Sequence, residues 1–310
     1  MASRVSTGSG RTRTIGVVVA VIRPFLQSQV ALITGAGRGI GAATAELLAR
    51  AGAQVVAVAR SKHELDQLGR RINQELAGRP AAVRGGILAD SADVADRRDV
   101  QEVVSRTRNR YGGIDLLINV AGIVDPLGRP LWEVTESEWA SCLATNLAGP
   151  FHTMATVIPA MLDDGGGRII SVSSRAAIIP VTNAAPYSAA KAGLDHLTRT
   201  VAAELDGTGV TAVTVDPGPT DTPTFDRVID NLFPDAPAFA VDRRRRPVED
   251  AAVLLAWLCS PATAGLTGVH ITWNDPRVAR RVAGFEQWLT VWGGGVPTRP
   301  AGRIRGGRYG

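Results

Sequence analysis

Cysteine is almost absent from this chain: Cys142 and Cys259 are the only two in 310 residues. Two thiols cannot build a disulfide framework, and their separation is not that of metal ligands, so a reducing compartment fits. Histidine is nearly as scarce. His63, His152, His196 and His270 show no H-x-x-x-H or H-E-x-x-H spacing, so each reads as a surface or capping residue and no metal is expected. Long apolar runs are missing too, since none approaches the ~20 residues that span a bilayer. Ile15 to Ile22 follows Arg4, Arg11 and Arg13 like a weak signal-peptide core, but Arg23-Pro24 stands where a small-residue cleavage pattern would be. The expectation is a cytoplasmic chain with no membrane attachment.

Acid is lacking mainly at the ends. The formal net charge is +5, and eight arginines lie in terminal stretches without acids: Arg4, Arg11, Arg13, Arg23, Arg299, Arg303, Arg305 and Arg308. Taking those eight from +5 leaves −3 for the body. The basicity therefore belongs to solvated arms and is not the footprint of a nucleic-acid surface.

What is present is enough for a large core. The chain is 45% hydrophobic and 20% charged, which suits one α/β domain with tails. From Gln29 onward, strand-length apolar runs alternate with helix-length periodic segments, the pattern of a parallel sheet covered on both faces. Strands are expected at Val30 to Thr34, Gln54 to Ala59, Ala82 to Leu88, Asp115 to Asn119, Arg168 to Val172, Thr211 to Val215 and Val269 to Thr272. Helices are expected near 39–51, 62–77, 96–110, 136–162, 186–206 and 249–259. Right-handed crossovers then give a doubly wound, Rossmann-like seven-stranded sheet. Residues 1–28 read as a mobile basic extension, 29–275 as the domain, and 276–310 as a helix near Arg277 to Val291 followed by a Gly/Arg-rich tail. The stretch from Thr220 to Arg246, with three prolines, Phe225, Phe233 and Phe239, reads as an irregular lid or substrate wall.

Chemistry is concentrated at a few positions. Gly35-x-x-x-Gly39-x-Gly41, with Gly37, Arg38 and Ile40 inside it, joins the first strand to the first helix; glycines there let the backbone approach a pyrophosphate at the helix N-terminus. The second strand ends in Ala59-Arg60 with no carboxylate to bind a ribose 2′-hydroxyl. Arg60 and Arg38 instead suit a 2′-phosphate, so NADP(H) is favoured over NAD(H). Further on, Tyr187 and Lys191 share one helix face one turn apart, thirteen residues after Ser174. An ammonium beside a phenol favours the phenolate and should bring its titration toward working pH.

These residues, with Asp93-Val94, Asn119-Val120-Ala121-Gly122, Asn146 and Pro217-Gly218 in order, resemble the short-chain dehydrogenase/reductases in the branch of about 250 residues, over approximately Gln29 to Thr272. The resemblance implies a dinucleotide-dependent oxidoreductase acting between a secondary alcohol and a ketone. It makes Tyr187 the general acid/base, Ser174 the group that orients the carbonyl, with Ser173 its near competitor, and Lys191 the holder of the nicotinamide ribose. Asn146, just before Gly149-Pro150 where the helix should bend, would hold a proton-relaying water. Asp93 and Val94 would meet adenine, while Asn119, Ala121, Gly122, Pro217 and Gly218 would flank the cofactor. Thr220 and Thr222 have hydroxyls suited to its carboxamide and phosphates. Ile178, Ile179, Pro180, Val181 and the Phe-bearing insertion argue for a mostly apolar small-molecule substrate. A 3-oxoacyl thioester reductase is the narrower alternative, and a catalytically silent NADP-binding sensor the alternative of another class. A homo-oligomer, dimer or tetramer, is expected through the helices carrying Asn146 and Tyr187, where Ala155, Ala189 and Gly193 are small. The four-arginine run Arg243 to Arg246 reads as a solvated loop face. One departure from the family is the end of the last strand, where Trp273-Asn274-Asp275-Pro276 replaces a short Asp-Gly-Gly segment; Trp288 and Trp292 follow and suit a packed helix or subunit contact.

Overall fold

Seven short apolar runs become seven parallel strands, the inner ones buried on both faces and the two at the sheet edges only in part. The computed structural model describes residues 23–232 and 245–290. In chain order the elements are β1 (Val30–Thr34), α1 (Gly39–Arg50), β2 (Gln54–Ala59), α2 (Lys62–Leu76), β3 (Gly86–Ser91), α3 (Arg97–Tyr111), β4 (Leu116–Asn119), α4 (Glu136–Leu143), α5 (Gly149–Asp163), β5 (Gly167–Val172), α6 (Ala185–Glu204), β6 (Val210–Asp216), α7 (Pro223–Leu232), α8 (Val248–Leu258), β7 (His270–Thr272) and α9 (Pro276–Thr290). The strand order is β3-β2-β1-β4-β5-β6-β7. Chain direction across the sheet reverses between β1 and β4, which opens a crevice beyond their carboxyl ends. The loops after β1 and β4 meet there: Thr34 Oγ accepts the N–H groups of Val120 and Ala121, each at 3.2 Å.

Four expectations change. The third strand is Gly86–Ser91, not Ala82 to Leu88, and Ala81–Val83 is a 3-10 turn. Gly85 sets this start, because a Cβ there would stand 2.2 Å from the Ala49 carbonyl oxygen; the chain must pass that turn before pairing Gly86 with Gln54. The long helix expected over 136–162 is α4, a π-helical stretch at Ala144–Ala148, and α5. Pro150 lacks the N–H that would bond the Asn146 carbonyl, so α-helical pairing breaks at that turn. The insertion after Thr220 is not wholly irregular, since α7 occupies Pro223–Leu232; Phe233, Phe239, Arg243 and Arg244 lie outside the described residues.

The fourth change concerns the ends. Residues 23–28 are packed rather than mobile: Phe25 and Leu26 are buried, and both donate their N–H groups to the Ala51 carbonyl at 3.0 Å. α9 lies where a C-terminal helix was expected, and Val282, Phe285 and Leu289 on it are buried in the same core as Phe25 and α8. Residues 1–22 and 291–310, with the basic arms and Trp292, lie outside the described residues.

Candidate active site

The glycine turn between β1 and α1 is tight enough to admit only glycine at its key points. Gly35 and Gly39 have φ of +67° and +57°, and a Cβ on Gly41 would stand 2.2 Å from the Gly35 carbonyl oxygen. Arg38 takes the cap position of α1 in an extended conformation with no side-chain cap, which leaves the first N–H groups of α1 available to an anion. A cavity of about 490 Å³ starts at this turn and is lined by Gly35, Gly37, Arg38, Gly39, Ile40 and Gly41.

At one end the cavity wall is Arg60, Ser61 and Glu64 with Asp93 and Val94. Arg38 and Arg60 are exposed, and neither forms an ion pair among the described residues. Ser61 caps α2 by accepting the Glu64 N–H at 3.4 Å. The Asp93 carboxylate accepts the Ala95 N–H at 2.9 Å, and the Asp93 N–H donates to Asp99 at 2.9 Å, so this turn is held from both sides. Val94 packs on Gly149, whose added Cβ would lie 2.8 Å from Val94 Cγ2. Ser61 and Glu64 escaped the sequence reading, although a serine right after Arg60 at a helix start is a recognisable cap signal.

The middle of the cavity is formed by Ala121 and Gly122 after β4, with Thr145 and Asn146 from the π-helical stretch. Asn119 does not reach it. That side chain is buried beneath, donating to Ser171 Oγ at 3.3 Å and accepting from Thr153 Oγ at 2.7 Å, so it braces β4 against β5 and α5. Asn146 is fully buried; its Nδ2 donates to the carbonyls of Ile123 at 2.7 Å and Cys142 at 3.0 Å. Its Oδ1 has no hydrogen-bond partner. A Cβ on Gly122 would stand 2.8 Å from that Oδ1 and 3.6 Å from Lys191 Nζ. An orphaned acceptor and an ammonium thus face one small space that only a glycine keeps open, as a cofactor or an ordered water would need.

Tyr187 and Lys191 project from the first turns of α6 into the same cavity. Lys191 Nζ lies 5.7 Å from the phenol ring centroid and donates to the Val172 carbonyl at 2.9 Å. Ser174 lies within hydrogen-bonding reach of the phenol. Its Oγ also accepts the Ala176 N–H at 3.2 Å, which caps a short 3-10 turn. Ser173 is buried at the cavity wall. The charge pattern differs from the sequence expectation. Burial pushes the Tyr187 phenol up to about 12, with the Ser174 hydrogen bond acting against it and Asp216 and Cys142 acting with it. Burial also pulls the Lys191 ammonium down to about 8, opposed by Asp195 and Cys142. Desolvation dominates, so at neutral pH the phenol keeps its proton and is set to donate it.

Past Asp216 the expected cofactor residues separate. Pro217, Gly218 and Thr220 stand off the cavity wall. The Asp216 carboxylate accepts the Gly218 N–H at 2.9 Å, and the buried Thr220 hydroxyl donates to the Gly218 carbonyl at 3.0 Å. Thr222 does line the cavity, next to Pro223 and Thr224 of α7. Over the far end, Val124, Leu127 and Ala184 form an apolar cluster with Val181, Tyr187, Val228 and Leu232. Ile178 and Ile179 are exposed rather than packed there. α7 is tied down by Arg227 to Asp125 and by Arg245 to Asp226 and Asp221.

Comparison with known proteins bears on this arrangement. The 3-oxoacyl-[acyl-carrier-protein] reductase FabG of Thermotoga maritima is 36% identical over 245 residues, covering 78% of this chain and 95% of that protein. A crystal structure of 3-ketoacyl-(acyl-carrier-protein) reductase from Brucella melitensis complexed with NADH superposes with a TM-score of 0.70 at 29% identity, covering 82% of this chain and 99% of the other. An actinorhodin polyketide ketoreductase variant with NADPH gives a TM-score of 0.70 at 30% identity, covering 79% and 95%. The family model described as short chain dehydrogenase matches residues 29–232, and the chain belongs to that family.

Proposed function

We propose that the chain is an NADP(H)-preferring oxidoreductase that interconverts a ketone and a secondary alcohol on a mostly apolar small molecule. The observation that carries this reading is that Tyr187, Lys191 and Asn146 share one cavity with the glycine turn, with Ser174 at the phenol. A bound nicotinamide would supply or take the hydride. The first N–H groups of α1 would hold the pyrophosphate, and Arg38 and Arg60 the 2′-phosphate. Ser174 orients the carbonyl oxygen, and Tyr187 donates its proton to that oxygen as charge develops there. Lys191 would hold the ribose hydroxyls and keep a positive field beside the phenol, while the orphaned Asn146 Oδ1 would accept from a water next to the lysine. The apolar cluster under α7 excludes water from the reacting end.

NADPH over NADH rests on the two arginines and the missing carboxylate after β2; relatives with either coenzyme are similar to this chain. The exposed Trp139, Phe151 and Leu162 on α4 and α5 support association of copies through that face in a cytoplasmic homo-oligomer. Gly193 is taken up within one chain, since Leu147 packs on it. Similarity to acyl-carrier reductases favours a 3-oxoacyl thioester as the second reading.

A panel of alicyclic ketones, aliphatic ketones and a 3-oxoacyl thioester, assayed with NADPH and NADH in parallel, tests both. Turnover with NADPH is expected on at least one class, with kcat/KM for NADPH falling about tenfold in Arg60→Ala while the value for NADH holds. Tyr187→Phe should lose about a hundredfold or more in kcat and still bind NADPH. A chain that binds NADPH, turns over nothing and is indifferent to Tyr187→Phe would be the sensor instead.

A further inference from the structure

One turn beyond Lys191 on α6 stands a second buried charge with no part in the chemistry above. Asp195 is 7% exposed and Lys191 4% exposed, and residues four apart on a helix share a face with Cβ atoms about 6 Å from each other. Asp195 Oδ2 lies 2.9 Å from Nδ1 of His270 at the start of β7, and that nitrogen is 3.1 Å from the Thr214 hydroxyl on β6. The buried Ser173 hydroxyl stands beside the same carboxylate, as does Thr214. A carboxylate buried one helical turn from a buried ammonium favours the charged form of that ammonium, and Asp195 acts on Lys191 in that sense.

We propose that Asp195, fixed by His270, is a positioning residue that keeps Lys191 charged: it is the buried counter-charge that lets an ammonium persist beside the phenol. This rests on the reading that Lys191 acts as an ammonium at the nicotinamide ribose.

The other groups facing Lys191 do not supply that charge. Tyr187, on the same helix, is a neutral phenol well above neutral pH. The Cys142 thiol of α4 is pushed up by burial and stays protonated. From β5 comes only the Val172 carbonyl, and from the π-helical stretch the neutral Asn146 amide. Asp216 of β6 acts on Tyr187 and is occupied by the Gly218 N–H. Asp195 is held below the ordinary carboxylate range: burial pushes it up, but His270 and the Ser173 and Thr214 hydroxyls together outweigh that. It is therefore an anion wherever the enzyme works.

The chain makes the measurement simple, because Lys62 and Lys191 are its only lysines. Full-length protein labelled with ¹³C at lysine Cε gives two resonances, assigned with Lys62→Arg, and neither substrate nor coenzyme is needed. The Lys191 midpoint, about 8 in the parent, should fall by about one unit or more in Asp195→Asn while that of Lys62 holds still. Asp195→Glu, which restores the charge, should recover most of the shift. In NADPH oxidation with whichever ketone is turned over, the alkaline limb of kcat/KM should move down by the same amount, which a purely structural loss would not do. A folded Asp195→Asn with an unchanged Lys191 midpoint overturns the proposal. Asp195→Ser serves if the asparagine variant does not fold; failure of both to fold assigns the pair to core stability and overturns it equally. Absence of turnover with a shifted midpoint would count against the proposed function and leave this inference standing.

Discussion

Lys191 carries its charge almost wholly withdrawn from bulk solvent, and that placement has a stability consequence of definite sign. Its value in the folded chain is about 8 against an ordinary 10.5. Between those limits the unfolded chain binds more protons than the folded one, so this group makes stability rise with pH. Below pH 8 the penalty is present in full; above 10.5 it is gone. Lys191→Met lacks this dependence, so whatever the loss of the charge beside Asp195 costs at pH 7, the variant's stability relative to the parent should fall by roughly 3 kcal/mol between pH 7 and pH 11. Urea unfolding of both proteins across that range checks it, and a constant difference would mean that the ammonium is better solvated than its burial indicates. Tyr187 does not confuse the comparison, because both proteins contain it. The sequence placed the phenol and the ammonium on one helix face but misjudged their charges. Spacing reports which groups meet; it does not report how much water they lose, and here that loss decides.

At the level of elements, the break between α4 and α5 aims Asn146. The π-helical stretch at Ala144–Ala148 turns the Asn146 amide so that Nδ2 reaches the Ile123 carbonyl after β4 at 2.7 Å and Oδ1 faces Gly122. Pro150→Ala restores the missing N–H and allows regular α-helical pairing through this turn. Stability should hold or rise, while kcat falls by up to about a hundredfold through a displacement of about 1 Å at Asn146. Thermal melts alongside kinetics separate the two effects; full activity with a raised melting point would show that the break is incidental. Proline also explains why α7 was not foreseen. Three prolines marked Thr220 to Arg246 as irregular, yet Pro223 opens the helix, a position proline tolerates because that N–H has no helical partner. Phe225, Val228, Ile229 and Leu232 then recur at helical spacing, so the signal for the lid was present and was overruled by composition. The cofactor turn, by contrast, was legible because it needs glycines that no other residue can replace. Thr220 was misplaced for the opposite reason: a hydroxyl suits a phosphate and a turn equally, and only the structure shows it spent on the Gly218 carbonyl.

The described body is closed by the two segments that border it, residues 23–28 and α9. Seven strands and their crossover helices would leave the outer face of α8 uncovered; instead α9 packs there and meets the segment before β1. The Phe25 and Phe285 rings meet edge to face at 5.4 Å, and Phe285 stacks on Trp288 at 5.6 Å. Arg23 lies over the Trp288 ring at 4.6 Å, and its N–H donates to the Leu289 carbonyl at 3.0 Å. Both segments fall outside the alternation that defines the sheet, and the Gly, Ser and Arg around them made the first look like part of a loose arm. Length explains the error: six residues bearing one Phe-Leu pair carry no periodicity, and their burial depends on a helix about 250 residues away. If the ends form one structural unit, Phe25→Ala and Phe285→Ala should each cost about 3 kcal/mol or more in unfolding free energy. The double variant should cost clearly less than their sum, because each removes the other's partner. Denaturant titration of the four proteins measures that coupling. Strict additivity would instead make the two aromatic rings independent neighbours of α8, and the order of the ends a consequence of the core rather than a part of it.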